Sequence, residues 1–201
     1  MSNPAMDLRG ALTVLRSLRA ADDVVVTSMG SAREWMAMGP LAPLDFVFVP
    51  SSMGQAPSLA LGLALAQPQR RVFACNGDGS MLMNLGALAT ISAEAPPNLV
   101  LIVLDNGVYE VTGAQPTPGS ALGRPDGRGV DFAEVARACG WTSVYRYREL
   151  DEWREAAGEA VTAPGPVFIV LEVEPVAGIG GPRSPGKTIE RAAQFRAALQ
   201  R

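Results

Sequence analysis

Two short polar clusters interrupt an otherwise apolar pattern: Gly77-Asp78-Gly79-Ser80, and Asp105-Asn106-Gly107-Val108-Tyr109, with Asn106 standing 28 residues after Asp78. Each follows directly on a run of apolar residues. A Gly-Asp-Gly turn sets one carboxylate at the end of a strand, with backbone N–H groups free on either side. An amide oxygen from Asn106, on a neighbouring strand, can share a hard cation with it. Magnesium takes six oxygens at ~2.0–2.1 Å and commonly uses one or two carboxylates together with phosphates. A helix starting at Ser80 would add N–H donors and the positive end of its dipole. Carboxylate, amide and helix N-terminus describe a cradle for magnesium and a diphosphate. Gly-Asp-Gly alone is more often a simple tight turn; the paired Asn-Gly at this spacing sets it apart.

A second motif competes. Gly181-Pro182-Arg183-Ser184-Pro185-Gly186-Lys187-Thr188 matches the G-x-x-x-x-G-K-[ST] pattern of nucleotide-binding P-loops. Such a loop works through successive backbone N–H donors, and Pro182 and Pro185 remove two of them. Residues 174–180 separate it from the preceding strand, and too little chain follows to supply an acidic metal-binding strand. It reads as a turn before a terminal helix. The sequence has no histidine, so no imidazole acid or base and no Ser/His or Cys/His pair can come from it. Cys75 and Cys139 have neither metal-ligand nor redox spacing.

The elements that must position these clusters alternate between helical and extended patterns. Leu8, Leu12, Leu15 and Leu18 predict an amphipathic helix over 6–20. Strands are predicted at 24–28, 45–49, 71–75, 98–104, 142–147 and 167–173. Helices are predicted at 30–38, 54–66, 81–93, 131–138, 150–161 and 188–200. The stretch 105–130 is rich in glycine and proline without periodicity, and a loop of that length is usually functional or mobile. About six strands alternating with helices predict an α/β fold, a doubly wound and mostly parallel sheet covered on both faces. In such folds ligands bind beyond the C-terminal ends of the strands. The whole of 1–201 reads as one domain with a Gly/Pro-rich tail at 174–187.

Composition narrows the function classes. Hydrophobic residues are 48% and charged residues 18%, which suits a globular domain that also meets a partner. A net charge of −3, with no cluster of Lys and Arg, argues against nucleic acid as a ligand. Arg9, Arg16 and Arg19 interrupt the N-terminal segment, so it does not read as a signal peptide, and no apolar run approaches ~20 residues. The expectation is a cytoplasmic protein, with no membrane partner.

Placed in order, strand, GDGS, helix, apolar strand and Asn-Gly resemble the magnesium-diphosphate motif of thiamine-diphosphate enzymes. GDGSMLMNLGALATI and NLVLIVLDNGVYEVTG are similar to the corresponding parts of sulfopyruvate and phosphonopyruvate decarboxylases. The resemblance covers roughly residues 22–175 and implies the thiamine-diphosphate-binding (PP) fold, with thiamine diphosphate and Mg2+ as cofactors. It implies that Asp78, the Asn106 side chain and the Val108 carbonyl bind the metal. Gly77, Gly79 and Ser80 would face the diphosphate, with Tyr109 beside them. Ser52-Met53-Gly54 matches the segment whose bulky apolar residue supports the thiazolium ring. Met53 would be that wedge and the Ser51 carbonyl an acceptor for the aminopyrimidine, although a core role for Met53 is the alternative. Gly30 and Ser31 match the first diphosphate loop more loosely, and a helix cap at Ser31 explains them nearly as well. Asp105 replaces a second Asn found in many relatives, and Glu110-Val111 replaces a small-residue pair.

In that family a second, pyrimidine-binding (Pyr) domain supplies the glutamate that activates the cofactor. The resemblance implies that this domain sits on a partner alpha subunit, in a hetero-oligomer of at least alpha2beta2, and that this chain is the beta subunit. The implied reaction is decarboxylation of a small acidic 2-oxo acid. Arg33, Arg124, Arg128, Arg183 and Lys187 lie in or beside glycine-rich segments and are candidate contacts for its anionic group. The catalytic residue itself is unknown from this chain. Three other readings stay open: a thiamine-dependent carboligase, a scaffolding subunit without turnover, and, remotely, the P-loop protein.

Overall fold

Asp7 accepts the N–H groups of Arg9 and Gly10 at 3.0 Å, which starts helix α1 (Leu8–Leu18). In the computed structural model, which describes residues 5–122, 128–176 and 181–201, the chain continues through β1 (Val24–Ser28), α2 (Met29–Ala37), β2 (Asp45–Phe48) and α3 (Ala56–Ala66). Next come β3 (Val72–Gly77), the short α4 (Asp78–Leu82), α5 (Gly86–Glu94) and β4 (Leu99–Asp105). A small hairpin follows, β5 (Val108–Tyr109) and β6 (Gln115–Pro116), joined through a single 3-10 turn. The chain ends with α6 (Phe132–Ala138), β7 (Ser143–Tyr147), α7 (Leu150–Ala160), β8 (Val167–Glu172) and α8 (Thr188–Leu199).

The six longer strands form one sheet in the order β2-β1-β3-β4-β8-β7, and every pairing in it is parallel. Successive side chains of a strand point to opposite faces, and here both faces are apolar. Val25, Phe73, Cys75, Val100, Ile102 and Ile169 meet α1, α2 and α7 on one side. Val24, Val26, Ala74, Leu101, Val103 and Phe168 meet α3, α4, α5, α6 and α8 on the other. This is why the strands read as unbroken apolar runs. Each fully buried Val, Leu or Phe contributes roughly 1.5–3 kcal/mol by leaving water. Two tryptophans tie the helices down through their N–H groups: Trp153 donates to the Ala11 carbonyl at 3.1 Å and Trp141 to the Leu88 carbonyl at 2.9 Å.

The structure departs from the expected pattern at the heart of the motif. β3 runs on to Gly77, because Asn76 and Gly77 pair with Val103 and Leu104 of β4. The next helix therefore begins at Asp78, not at Ser80 or Met81. The helix expected over 81–93 is broken in two around Met83–Leu85. There Asn84 turns its side-chain N–H to the Gly54 carbonyl at 3.0 Å. Three-residue bonds from Asn84 to Met81, Ala87 to Asn84 and Leu88 to Leu85 replace the helical ones.

At the other end, α8 packs Phe195 against Phe46 of β2, with ring centroids 4.8 Å apart. Arg191 of α8 donates to the carbonyls of Val47 and Val49, the latter at 2.8 Å. It so covers part of the open edge of β2. Among the described residues no helix is long and apolar enough to cross a membrane.

Candidate functional site

β1 and β3 are neighbours, with β2 outside β1 and β4 beyond β3. The connections from these two strands therefore leave in opposite directions, which opens a crevice beyond their C-terminal ends. Ser28-Met29-Gly30 at the end of β1, Gly77-Asp78 at the end of β3 and Asn106 after β4 all reach it. One cavity is lined by these residues together with Ser31, Met53, Gly79, Ser80, Met83, Val108, Tyr109 and Glu110.

Asp78 is the charged centre of this cavity and is only 2% exposed. Its carboxylate accepts the hydroxyl of Thr117 at 3.1 Å, and the backbone N–H groups of Gly79 and Asn106 favour its charged form. Burial, and the charge of Asp105 nearby, nevertheless push its pKa up to about 7. Asp105 is pushed up to about 6, by burial and then by Glu172, with Arg146 opposing. Two carboxylates held partly protonated in one place describe a site that gains from a cation. Among the described residues no group of three or more His, Cys, Asp or Glu is placed to hold a metal. The donor set here is of another kind, one carboxylate with amide and carbonyl oxygens. That set suits Mg2+ completed by phosphate oxygens.

Asn106 is fixed at both ends of its amide. Its oxygen accepts the Val108 N–H at 3.0 Å, and its NH2 donates to Glu110 at 2.9 Å. The oxygen keeps a second lone pair. Val108 lies opposite Pro116 in the hairpin, and the ladder bond from Thr117 N–H goes to Gly107 instead. Val108 and Pro116 are therefore a non-hydrogen-bonded pair, and the Val108 carbonyl points away from β6, towards other donors or a cation. Glu110 also accepts the Val176 N–H at 2.8 Å and meets Arg33 at 3.4 Å.

Close approach of backbone to the cavity floor is built into Gly79. A Cβ there would come within 2.7 Å of the Tyr109 ring, so only glycine lets β5 close over the turn. The Ser80 hydroxyl accepts the Gly54 N–H at 2.8 Å, which holds the segment carrying Met53 against α4. Met53 is 42% exposed and lines the cavity, so it is not a core residue. Ser31 reaches back to the Ser28 N–H at 3.1 Å and is buried, while Ser28 is the residue that caps α2. Gly30 lies on the cavity wall. Ser51 and Ser52 stand next to Met53 but outside the lining.

The candidate anion contacts fall elsewhere. Arg33 pairs with Glu34 at 3.0 Å and with Glu110. Arg128, Arg183 and Lys187 are exposed, and Lys187 pairs with Glu190 at 3.3 Å. Arg124 lies outside the described residues. The Gly181–Thr188 segment is an exposed turn into α8 and does not follow a strand. Sequence reasoning missed Thr117 and Glu110. Thr117 carries no local signal, since only the hairpin returns it to Asp78. Glu110 is visible in the sequence only as a departure from a small-residue pattern.

Comparison with known proteins adds relatives to this geometry. The family model described as "Thiamine pyrophosphate enzyme, C-terminal TPP binding domain" matches residues 27–171. A phosphonopyruvate decarboxylase of Streptomyces viridochromogenes is 41% identical over 74% of this chain and 36% of its own length. The sulfopyruvate decarboxylase subunit beta of Methanothermobacter thermautotrophicus is 37% identical over 77% of this chain and 75% of its own length. The chain thus spans well under half of the first relative and three quarters of the second. In solved structures, a thiamine diphosphate-dependent 4-hydroxybenzoylformate decarboxylase of Rhodococcus jostii superposes with a TM-score of 0.66 at 22% identity. It covers 87% of this chain and 34% of that one, a likeness of fold.

Proposed function

Because the chain belongs to the thiamine pyrophosphate enzyme family, as a C-terminal TPP-binding domain, we propose that it is the diphosphate- and Mg2+-binding subunit of a split decarboxylase for a small acidic 2-oxo acid. The observation that carries this is the convergence of Asp78 and Asn106 on one cavity at the ends of two adjacent strands, with the Asn106 backbone favouring the charged form of the Asp78 carboxylate.

In this reading Asp78, the Asn106 side chain and the Val108 carbonyl hold Mg2+. Gly30, Ser31, Gly77, Gly79 and Ser80 form the wall that faces the diphosphate. Tyr109 closes over Gly79. Met53 supports the thiazolium ring, and the Ser51 carbonyl, with Ser52 beside it, accepts from the aminopyrimidine. When bound, thiamine diphosphate supplies the electron sink that lets carbon dioxide leave a 2-oxo acid. The chain's own residues bind and orient it, and the apolar rim of Met53, Met83 and Val111 keeps water from the ring face.

The glutamate that activates the cofactor is assigned to a pyrimidine-binding partner subunit, in a hetero-oligomer. Support comes from the relative whose name marks it as a beta subunit and which the chain matches along three quarters of its length. Sulfopyruvate-like and phosphonopyruvate-like acids are the substrate class that the two relatives suggest.

The test is to titrate the chain with thiamine diphosphate and Mg2+ by calorimetry, beside Asp78→Ala. The partner-supplemented chain is then assayed against 2-oxo acids bearing sulfonate, phosphonate or no anionic group. Binding lost in Asp78→Ala, and carbon dioxide release only with the partner, are expected. Equal binding by Asp78→Ala, or full turnover by the single chain, would overturn the reading.

A further inference from the structure

We infer that Glu110 is a positioning residue for the metal site, setting which end of the Asn106 amide is offered to the cation; the inference rests on the function proposed above. The oxygen and NH2 ends of an asparagine amide are nearly the same size, and their partners decide which way round the group sits. Here the two partners can each read only one end. The Val108 N–H can only donate, and it meets the oxygen at 3.0 Å. A Glu110 carboxylate oxygen can only accept, and it meets the NH2 at 2.9 Å. Turned the other way, Asn106 would set NH2 against N–H and oxygen against carboxylate. An NH2 group ligates no cation.

Glu110 is itself held in place from three directions. The same oxygen that takes the Asn106 NH2 takes the Val176 N–H at 2.8 Å, and the other meets Arg33 at 3.4 Å. Arg33 continues to Glu34, and Glu34 to Arg9 at 2.9 Å. The Glu110 side chain is only 6% exposed. With these donors engaged, its role is to orient a neighbour, not to bind metal. A Cβ on Gly30 would come within 3.1 Å of the Glu110 carboxylate, so the loop after β1 packs against it as well. Partners that orient metal-binding side chains commonly change metal affinity about 10–100-fold when removed.

The experiment is a Mn2+ titration of the full chain in the presence of thiamine diphosphate, with free Mn2+ read by electron paramagnetic resonance. Wild type is compared with Asp78→Ala, Glu110→Ala, Glu110→Gln and Arg33→Met, each first shown to be folded by thermal melting. Glu110→Ala should weaken Mn2+ binding about tenfold or more. Glu110→Gln, whose carbonyl still accepts from the Asn106 NH2, should stay within about threefold of wild type. Arg33→Met removes the ion pair but leaves the Asn106 bond, so it should lower the melting temperature and spare Mn2+ affinity. If Glu110→Ala does not fold, Glu110→Met, close in size but with no oxygen to accept from the Asn106 NH2, takes its place with the same expected loss. Wild-type affinity in Glu110→Ala overturns the inference. So does a loss in Glu110→Gln or Arg33→Met as deep as that in Asp78→Ala. If wild type binds no Mn2+, or Asp78→Ala binds as tightly as wild type, the proposed cofactor site fails, and the inference falls with it.

Discussion

The Thr117 hydroxyl donates to the carboxylate of Asp78 at 3.1 Å, so the hairpin that follows β4 is tied back to the turn leaving β3 at the point where the crevice opens. The backbone N–H groups of Gly79 and Asn106 also favour the charged carboxylate. Burial and Asp105 outweigh these groups. The pocket is therefore arranged around a charge it does not fully neutralise.

That imbalance predicts how the metal-free chain responds to pH. A carboxylate whose folded pKa lies above its unfolded value stabilises fully below the unfolded pKa, and that contribution is lost as pH rises through the folded one. For Asp78 and Asp105 the window runs from about 4 in the unfolded chain to about 7 and about 6 in the folded one. With chelator present, the melting temperature should fall between pH 5 and pH 8, and Asp78→Asn should flatten the slope. Mg2+ with thiamine diphosphate should reverse it at the upper end. Glu34, whose pKa is lowered, acts the other way but only in more acidic solution. A metal-free wild-type melting curve that is flat or rises over this range contradicts the prediction.

Gly79→Ala should destabilise the chain by about 1–3 kcal/mol, because the new methyl lands on the Tyr109 ring. Shortening the ring's side chain should relieve it. The double variant with Tyr109→Ala should therefore lose less stability than the two single changes added together. Chemical denaturation of the four proteins gives the coupling directly, and strict additivity would show that the ring is not the obstacle.

Arg191→Ala should uncover the Val47 and Val49 carbonyls at the edge of the sheet. Exposed strand edges invite pairing with other chains. We expect faster amide exchange across β2 and concentration-dependent self-association in scattering. Arg191→Lys, which offers a single point of donation in place of a fork, should recover only part of the protection. If β2 exchanges at the same rate in all three proteins, α8 does not guard that edge.

Trp153→Ala removes a fully buried ring and the bond from its N–H to the Ala11 carbonyl. The expected cost is about 3–5 kcal/mol. Trp153→Phe keeps most of the volume, loses the hydrogen bond and should cost less. Comparing urea midpoints of the two variants separates packing from hydrogen bonding, and equal losses would assign the effect to the bond alone.

Much of this architecture can be read from residue order. Unbroken apolar runs such as Leu99–Leu104 mark strands covered on both faces, and glycine-rich turns after them mark where ligands approach. Adjacency of β3 and β4, and so of Asp78 and Asn106, is the common arrangement for consecutive strands of an α/β pattern, although β2 and β3 of this sheet break it. The break at Met83–Leu85 was not legible, because its cause is a bond from Asn84 to Gly54, thirty positions earlier in the chain. Thr117 was equally hidden, since nothing near it in sequence says that the hairpin will fold it back onto Asp78. For Glu110, the deciding partner Arg33 is 77 residues away. Local patterns specify elements, but the side chains that tune a site are chosen by contacts formed only after those elements pack.

The chain of charges from Arg9 through Glu34 and Arg33 to Glu110 constrains how this protein can diverge. Losing Arg33 alone leaves the buried Glu110 without its cation and Glu34 with Arg9 only, and losing Glu110 alone leaves Arg33 with Glu34 only. Neither intermediate is neutral. Among descendants and cousins of this chain, these positions should be inherited or replaced as a set, so that a lineage with a small residue at 110 should also lack the arginine at 33.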